Sequence, residues 1–229
     1  IVGESGSGKT TIAKMLLGIE IPTAGTITVA GRDRSIPARG SSERRKRGRE
    51  LQMVFQDPYT SLDPRQTGWS CLREVIQLHF PDQTRSQVES RILELGSQVG
   101  LSTEQLLVRP NSLSGGQRQR VAIARALASE PQAIILDEAV SGLDVSIQAQ
   151  ILNLLMDIKR ETGVAYLFIS HDLAVIRQMA GYVIVMESGR VVEEGETARV
   201  LDQPKENYTR MLRESVPGPG WSPKRRNLV

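Results

Sequence analysis

Cysteine is almost absent from this 229-residue chain. The single Cys71 allows no internal disulfide, no zinc knuckle and no iron–sulfur ligand set, and a small buried hydrophobe is the plain reading for it. Long apolar runs are missing too. No stretch approaches the roughly 20 apolar residues that cross a bilayer, so the chain by itself is expected to be soluble. A starting methionine is also lacking. Ile1 opens the run IVGES, which reads as the end of a buried strand entering a glycine-rich turn, so the chain is expected to be a fragment or processed form from which no targeting segment can be judged. The formal charge of +3 is mild, but its basic residues cluster. Arg44, Arg45, Lys46, Arg47 and Arg49 crowd one segment, and Lys224, Arg225 and Arg226 another. Such runs suit a solvated face or loop, with nucleic acid or lipid headgroups as the alternative.

What is present alternates between strands and helices. After the opening glycines, Ile12, Met15, Leu16 and Ile19 form a helical stripe. TAGTITVAG predicts a short strand or hairpin, Ser35 to Arg49 a polar loop, and Leu51 to Phe55 a buried strand stopped by Asp57 and Pro58. From Thr67 to about Asn111 the spacing is helical with few strand formers, which predicts a helical insertion. An amphipathic helix follows Ser114, with Arg118, Arg120 and Arg125 expected at exposed positions. QAIILDEA then reads as a buried strand, SIQAQILNLLMDIKRETG as a helix with a glycine stop, and VAYLFISHD as a second buried strand. YVIVMESGRVVEEG predicts a hairpin turning at Ser188 and Gly189, followed by helices near Thr197 to Asp202 and Tyr208 to Glu214, and the residues after Pro217 read as a disordered tail.

Chemistry begins at GESGSGKT, which fits G-x-x-x-x-G-K-[ST] at every fixed position. Glycines let backbone amides turn toward phosphate oxygens, and the following helix start adds about half a positive charge. Gly3, Glu4, Ser5, Gly6, Ser7 and Gly8 would form that cradle, with Lys9 reaching the β- and γ-phosphates, Thr10 offering its hydroxyl to magnesium, and Thr11 continuing the helix start. A glycine-rich structural turn is the bland alternative.

Asp137 and Glu138 close an apolar run and so fall at the C-terminal end of a strand, where open α/β sheets bind ligands. Asp137 suits a magnesium contact. Glu138, one residue on, suits the base or orienter of an attacking water. His171 ends the next strand and could donate to the transferred phosphoryl group. Gln56, just past its own strand, could contact magnesium and order water, whereas His79 has no such context and reads as structural. LSGGQ, with Ser114, Gly115, Gly116 and Gln117, is a second serine and glycine turn at a helix start. One chain with two phosphate-facing ends is most simply explained by a head-to-tail dimer, each turn capping nucleotide held by the other subunit.

Together these segments resemble the nucleotide-binding domain of ABC transporters. GESGSGKT resembles the family's Walker A, Gln56 its Q-loop, LSGGQ its signature, AIILDE its Walker B, SGLD its D-loop and His171 its switch histidine. All occur in family order over nearly the whole chain. VFQDPYTSLDPR, DEAVSGLDVSIQAQILNLL, FISHDLAVIRQMA and ENYTRML are similar to the ATPases of oligopeptide and dipeptide importers, whereas Glu206-Asn207 replaces the usual His-Pro before Tyr208-Thr209.

The resemblance implies a P-loop NTPase (RecA-like) α/β core with a mainly parallel sheet, a helical insertion subdomain and a partial antiparallel β subdomain. In this chain that is one ATPase domain over 1–229: 1–56 the phosphate loop, first helix, partial β subdomain and Gln56 strand; 57–112 the helical subdomain; 113–215 the signature helix to the C-terminal elements; and 216–229 a tail. It implies ATP and Mg2+ as ligands, Asp144 coupling two sites across a dimer, and an adenine-stacking aromatic residue upstream of Ile1. The partners implied are a second ABC ATPase domain, identical or related, permease subunits that bind near Gln56, and an extracytoplasmic solute-binding protein. The place implied is the cytoplasmic face of a bacterial inner membrane, held through the permease, with no nucleic acid expected. A soluble ABC-type ATPase acting on nucleic acid or ribosomes, and a regulatory nucleotide-binding module with little turnover, are the alternative readings.

Overall fold

The computed structural model describes residues 1–57 and 61–215. The expected tail at 216–229, with Lys224, Arg225 and Arg226, lies outside the described residues. Two compact units divide the chain: Ile1–Thr10 with the chain from Phe168 onward, and Thr11–Leu167.

The larger unit takes up most of helix α1 (Lys9–Leu17), which buries Ala13. A minimal hairpin follows, β1 (Thr28–Val29) antiparallel to β2 (Arg32–Asp33). The expected polar loop over Ser35–Arg49 is corrected: Gly40–Glu50 is a helix, α2. It has almost no apolar face to reveal it, since Glu50 is its only buried residue. Ion pairs hold it instead, Arg47 Nε donating to Glu43 Oε1 at 3.0 Å along the helix and Glu50 accepting from Arg32 and Arg34.

Strand β3 (Leu51–Val54) runs parallel to β4 (Ala133–Asp137) in the register Leu51↔Ala133 to Val54↔Leu136. Ile134, Ile135 and Leu136 are all buried, as expected of a parallel strand covered on both faces rather than one. The strand order is completed by β5 (Ala165–Ile169), and Ala165 N donates to Gln132 O at 3.0 Å.

Between β3 and β4 lies the helical insertion: α3 (Gly68–His79), α4 (Arg85–Gln98) and α5 (Thr103–Leu107). Thr67, Thr84 and Ser102 cap these helices, the last two with reciprocal Gln side chains, and each cap contributes about 0.5–2 kcal/mol. Their apolar stripes, Leu72 and Ile76 on α3, Val88, Ile92 and Leu95 on α4, and Leu106 on α5, are buried together against α6 (Gly115–Leu127). The arginines expected on the outside of α6 are not there. Arg118 is only 6% exposed, and Arg120 and Arg125 are half-buried. Each donates to a backbone carbonyl elsewhere: Arg118 to Leu113 and to Pro110, Arg120 to Val99 at 2.6 Å, and Arg125 to Ser61. Helix α7 (Val145–Thr162) then ends on Gly163 in the left-handed region at φ 72°.

In the smaller unit, β6 (Tyr182–Glu187) and β7 (Arg190–Glu196) form an antiparallel hairpin. Its turn is Ser188-Gly189, with φ 49° and 80°, the pair of positive angles that matches the strands' twist. Val183 and Val185 face inward, and Val2 bridges Val185 in parallel. Helices α8 (Leu173–Met179), α9 (Thr197–Asp202) and α10 (Asn207–Glu214) complete it.

Candidate functional site

In the smaller unit the opening strand delivers the chain into the glycine loop under tight control. Val2 N donates to Ile184 O and Met186 N to Val2 O, both at 2.8 Å. A Cβ on Gly3 would lie 2.2 Å from Met186 O, so only glycine lets the loop leave the sheet here. Gly6 and Gly8 take positive φ of 82° and 98°. Lys9 is 5% exposed, and its ammonium donates to Gly3 O at 2.9 Å, Glu4 O at 2.8 Å and Ser7 Oγ at 3.3 Å. The loop therefore wraps a buried cation in its own carbonyls while Thr10 and Thr11 stand exposed at the helix start. The start of α1, where backbone N–H groups and the positive end of the helix dipole meet, is the part of this arrangement suited to an anion.

Tyr208 on α10 adds a support that sequence reasoning missed. Its hydroxyl accepts from Glu4 N at 2.9 Å across 204 residues. The only signal was its place in ENYTRML, a segment noted for its likeness and given no role. His171 is exposed, two residues beyond β5, between Ser170 and Asp172, whose carboxylate caps α8 by accepting from Ala174 N and Val175 N.

In the larger unit the register of β3 on β4 does the assembling. Val54 lies opposite Leu136, so two residues further on Gln56 lies level with Glu138. Gln56 Nε2 donates to Glu138 Oε2 at 3.0 Å, joining groups 82 residues apart. Asp137, the last residue of β4, is 6% exposed. Glu138 turns away with a left-handed φ of 47°, and its carbonyl accepts from Ser141 N at 2.9 Å and Ser141 Oγ at 2.8 Å.

The LSGGQ turn is also preformed. Ser114 Oγ accepts from Gln117 N at 3.2 Å and Gln117 Oε1 accepts from Ser114 N at 2.8 Å, a reciprocal cap at the start of α6. Its glycines fit a close approach. A Cβ on Gly116 would meet Ile147 Cγ2 at 2.7 Å, and one on Gly115 would lie 3.6 Å from Leu143. The turn thus rests on the start of α7, whose N-terminal flank is exposed Asp144. Elsewhere, burial pushes the Cys71 thiol pKa up, in keeping with its structural reading. Burial first, then the Arg49 and Arg45 charges, push His79 down.

Three comparisons show what the chain is similar to. The family model described as ABC transporter matches residues 1–141. The probable peptide ABC transporter ATP-binding protein y4tS of Sinorhizobium fredii is 47% identical over 219 residues, covering 96% of this chain and 61% of that protein. The oligopeptide transport ATP-binding protein OppD of Mycobacterium tuberculosis is 46% identical over 219 residues, covering 96% of this chain and 35% of that one. The chain thus spans about three fifths and one third of the length of these two relatives. Among solved structures, the dimeric ATP-binding cassette MJ0796 bound to ADP and Pi superposes with a TM-score of 0.75 at 29% identity, covering 86% of this chain and 83% of that one. The cassette cbiO1 of Clostridium perfringens gives 0.76 at 27%, covering 88% and 78%.

Proposed function

The chain belongs to the ABC transporter family, and from that membership we propose that it is the ATP-binding and ATP-hydrolysing subunit of an importer of peptides. The observation that carries the catalytic part is the bond from Gln56 Nε2 to Glu138 Oε2, set by strand register at the end of β4. The peptide class rests on relatives named for peptide and oligopeptide transport.

In this reading residues 1–229 form one ATPase domain. Gly3 to Thr11 hold the nucleotide's phosphates, with Lys9 as the cation that pairs with them. Glu138 receives the proton of a water that attacks the γ-phosphorus, the bond to the bridging oxygen breaks, and ADP and inorganic phosphate leave. Gln56 fixes the orientation of the Glu138 carboxylate. His171 donates to the transferred group. Ser114, Gly115, Gly116 and Gln117 cap the terminal phosphate on a second cassette, identical or related, and Asp144 links the two sites.

Thr10, Gln56 and Asp137 would hold Mg2+. A hydroxyl, an amide and one buried carboxylate fit that ion, which keeps several waters and phosphate oxygens and asks for no all-protein cage. The ion would supply charge neutralisation on the phosphates.

No described helix is long and apolar enough to cross a membrane. In this reading the chain attaches to the cytoplasmic face of a bacterial inner membrane through permease subunits, served by an extracytoplasmic solute-binding protein. The deciding experiment is Glu138→Gln, which keeps the shape and the oxygen facing Gln56 but removes the base. Turnover should fall by roughly 10²-fold or more with ATP binding retained. Unchanged turnover would remove Glu138 from the role of base.

A further inference from the structure

Arg118 sits against its electrostatic surroundings. It lies in the first turns of α6, where the helix dipole already presents its positive end and acidic side chains are the favoured neighbours. It is also 6% exposed, and burying a guanidinium is costly unless its donors are used. Helix stability alone would choose a neutral residue here.

Its Nε is buried without a hydrogen-bond partner, and a terminal nitrogen reaches the backbone that enters the signature turn. One terminal nitrogen donates to Leu113 O and, at 3.1 Å, to Pro110 O. Leu113 immediately precedes Ser114. Pro110 opens the short 3-10 turn Pro110–Ser112, and its carbonyl also accepts from Leu113 N at 3.1 Å. Meanwhile Arg118 N donates to Ser114 O at 2.9 Å, the first bond of the helix. One residue therefore grips the turn from both sides, by its side chain ahead of Ser114 and by its amide at Ser114 itself.

The other two arginines of α6 supply the contrast. Arg120 reaches Val99 O at the end of α4, and Arg125, in the last turn of α6 where a cation complements the dipole, reaches Ser61 O. They tie the helix to the insertion and to the segment after Gln56. Only Arg118 acts on the turn that would meet nucleotide.

We propose that Arg118 is a positioning residue for ATP hydrolysis. By engaging the carbonyls of Pro110 and Leu113 it sets Ser114 and the amides of Gly115 and Gly116 as donors, and its buried charge adds to the helix end in attracting the terminal phosphate held by another cassette. This rests on the function proposed above. Because nucleotide is first bound by the chain's own glycine loop, Arg118 governs the chemical step and leaves the first binding step alone.

The test uses the full chain with Arg118→Lys, Arg118→Met and Arg120→Met. It reads amide hydrogen exchange over residues 114–117 and steady-state ATP hydrolysis. Arg118→Met should speed exchange in the turn by about 10-fold or more while β4 keeps its protection. It should lower kcat by about 10-fold or more with the KM for ATP within about twofold of the parent. Arg118→Lys, which keeps the charge and loses the fork, should fall between. Arg120→Met should loosen the end of α4 and leave kcat within about twofold. Turn exchange and kcat of Arg118→Met both within about twofold of the parent would overturn the proposal, as would a kcat loss matched by Arg120→Met. If Arg118→Met does not fold, Arg118→Lys is judged on the same two readings. A parent chain whose ATP turnover survives Lys9→Ala would refute the ATPase reading itself, while the exchange data would still decide whether Arg118 holds the turn.

Discussion

Replacing Gly3 by alanine tests the phosphate loop at its most constrained point. The added Cβ would lie 2.2 Å from Met186 O and 2.7 Å from Ser7 Oγ. Ser7 can rotate, but the Met186 carbonyl is backbone of β6, anchored by Met186 N donating to Val2 O and by the Val2–Val185 bridge. Restoring an ordinary carbon–oxygen separation of about 3.3 Å needs about 1 Å of movement in the loop or the strand. Losing one buried backbone hydrogen bond costs roughly 1 kcal/mol and overpacking about 1–3 kcal/mol, which gives about 2–4 kcal/mol in all. For a chain of this size the melting temperature should fall by roughly 5–15 °C. A loop displaced this far also loses one or two phosphate contacts, so ATP should bind about 10-fold or more weakly. Calorimetry and titration with a fluorescent ATP analogue read the two effects. Gly6→Ala is the control, because nothing lies within 4 Å of its Cβ and only its φ of 82° resists, at a cost of about 1–2 kcal/mol. A Gly3→Ala protein that melts within about 2 °C of the parent and binds ATP as tightly would refute the reasoning.

Other expectations are as definite. Glu50→Gln leaves the Arg34 guanidinium, 1% exposed, without its carboxylate, and should destabilise the larger unit by about 3–5 kcal/mol in urea unfolding; a loss under about 1 kcal/mol would mean water reaches that pair. His79 has its pKa lowered in the folded state, so the unfolded chain binds more protons below its ordinary value of 6.5 and stability drops as pH falls through that range. His79→Gln should flatten the melting curve between pH 7 and 5 relative to the parent, and an equal slope in both proteins would remove His79 as the cause. Tyr208→Phe removes the acceptor for Glu4 N and should weaken ATP binding about 3- to 10-fold with little change in melting temperature; unchanged affinity would leave Tyr208 with packing alone.

Much of this architecture was legible because its signals are local. The strand, loop and helix at Gly3 to Thr10, the apolar run into Asp137, the Ser188-Gly189 hairpin and the helix over Thr197–Asp202 each carry their own pattern. What escaped depends on partners distant in the chain. Helix α2 shows no apolar period, because its one buried residue, Glu50, faces Arg32 of the hairpin and Arg34 just after it. The charged face of α6 reads as a solvated face until the carbonyls of residues 61, 99, 110 and 113 are known to lie against it. Gln56 and Glu138 could each be picked out singly, but that they touch follows from strand register, which neither segment encodes alone.

The backbone of Glu138 has a consequence for how this position can drift. A glutamate held at φ 47° resists the left-handed conformation that glycine and asparagine accept with ease. Proteins recovered from a library screened for heat resistance alone should therefore accumulate glycine or asparagine at 138, whereas, under the function proposed above, a screen for ATP turnover should return glutamate. The residue found there reports which of the two pressures a population has been under.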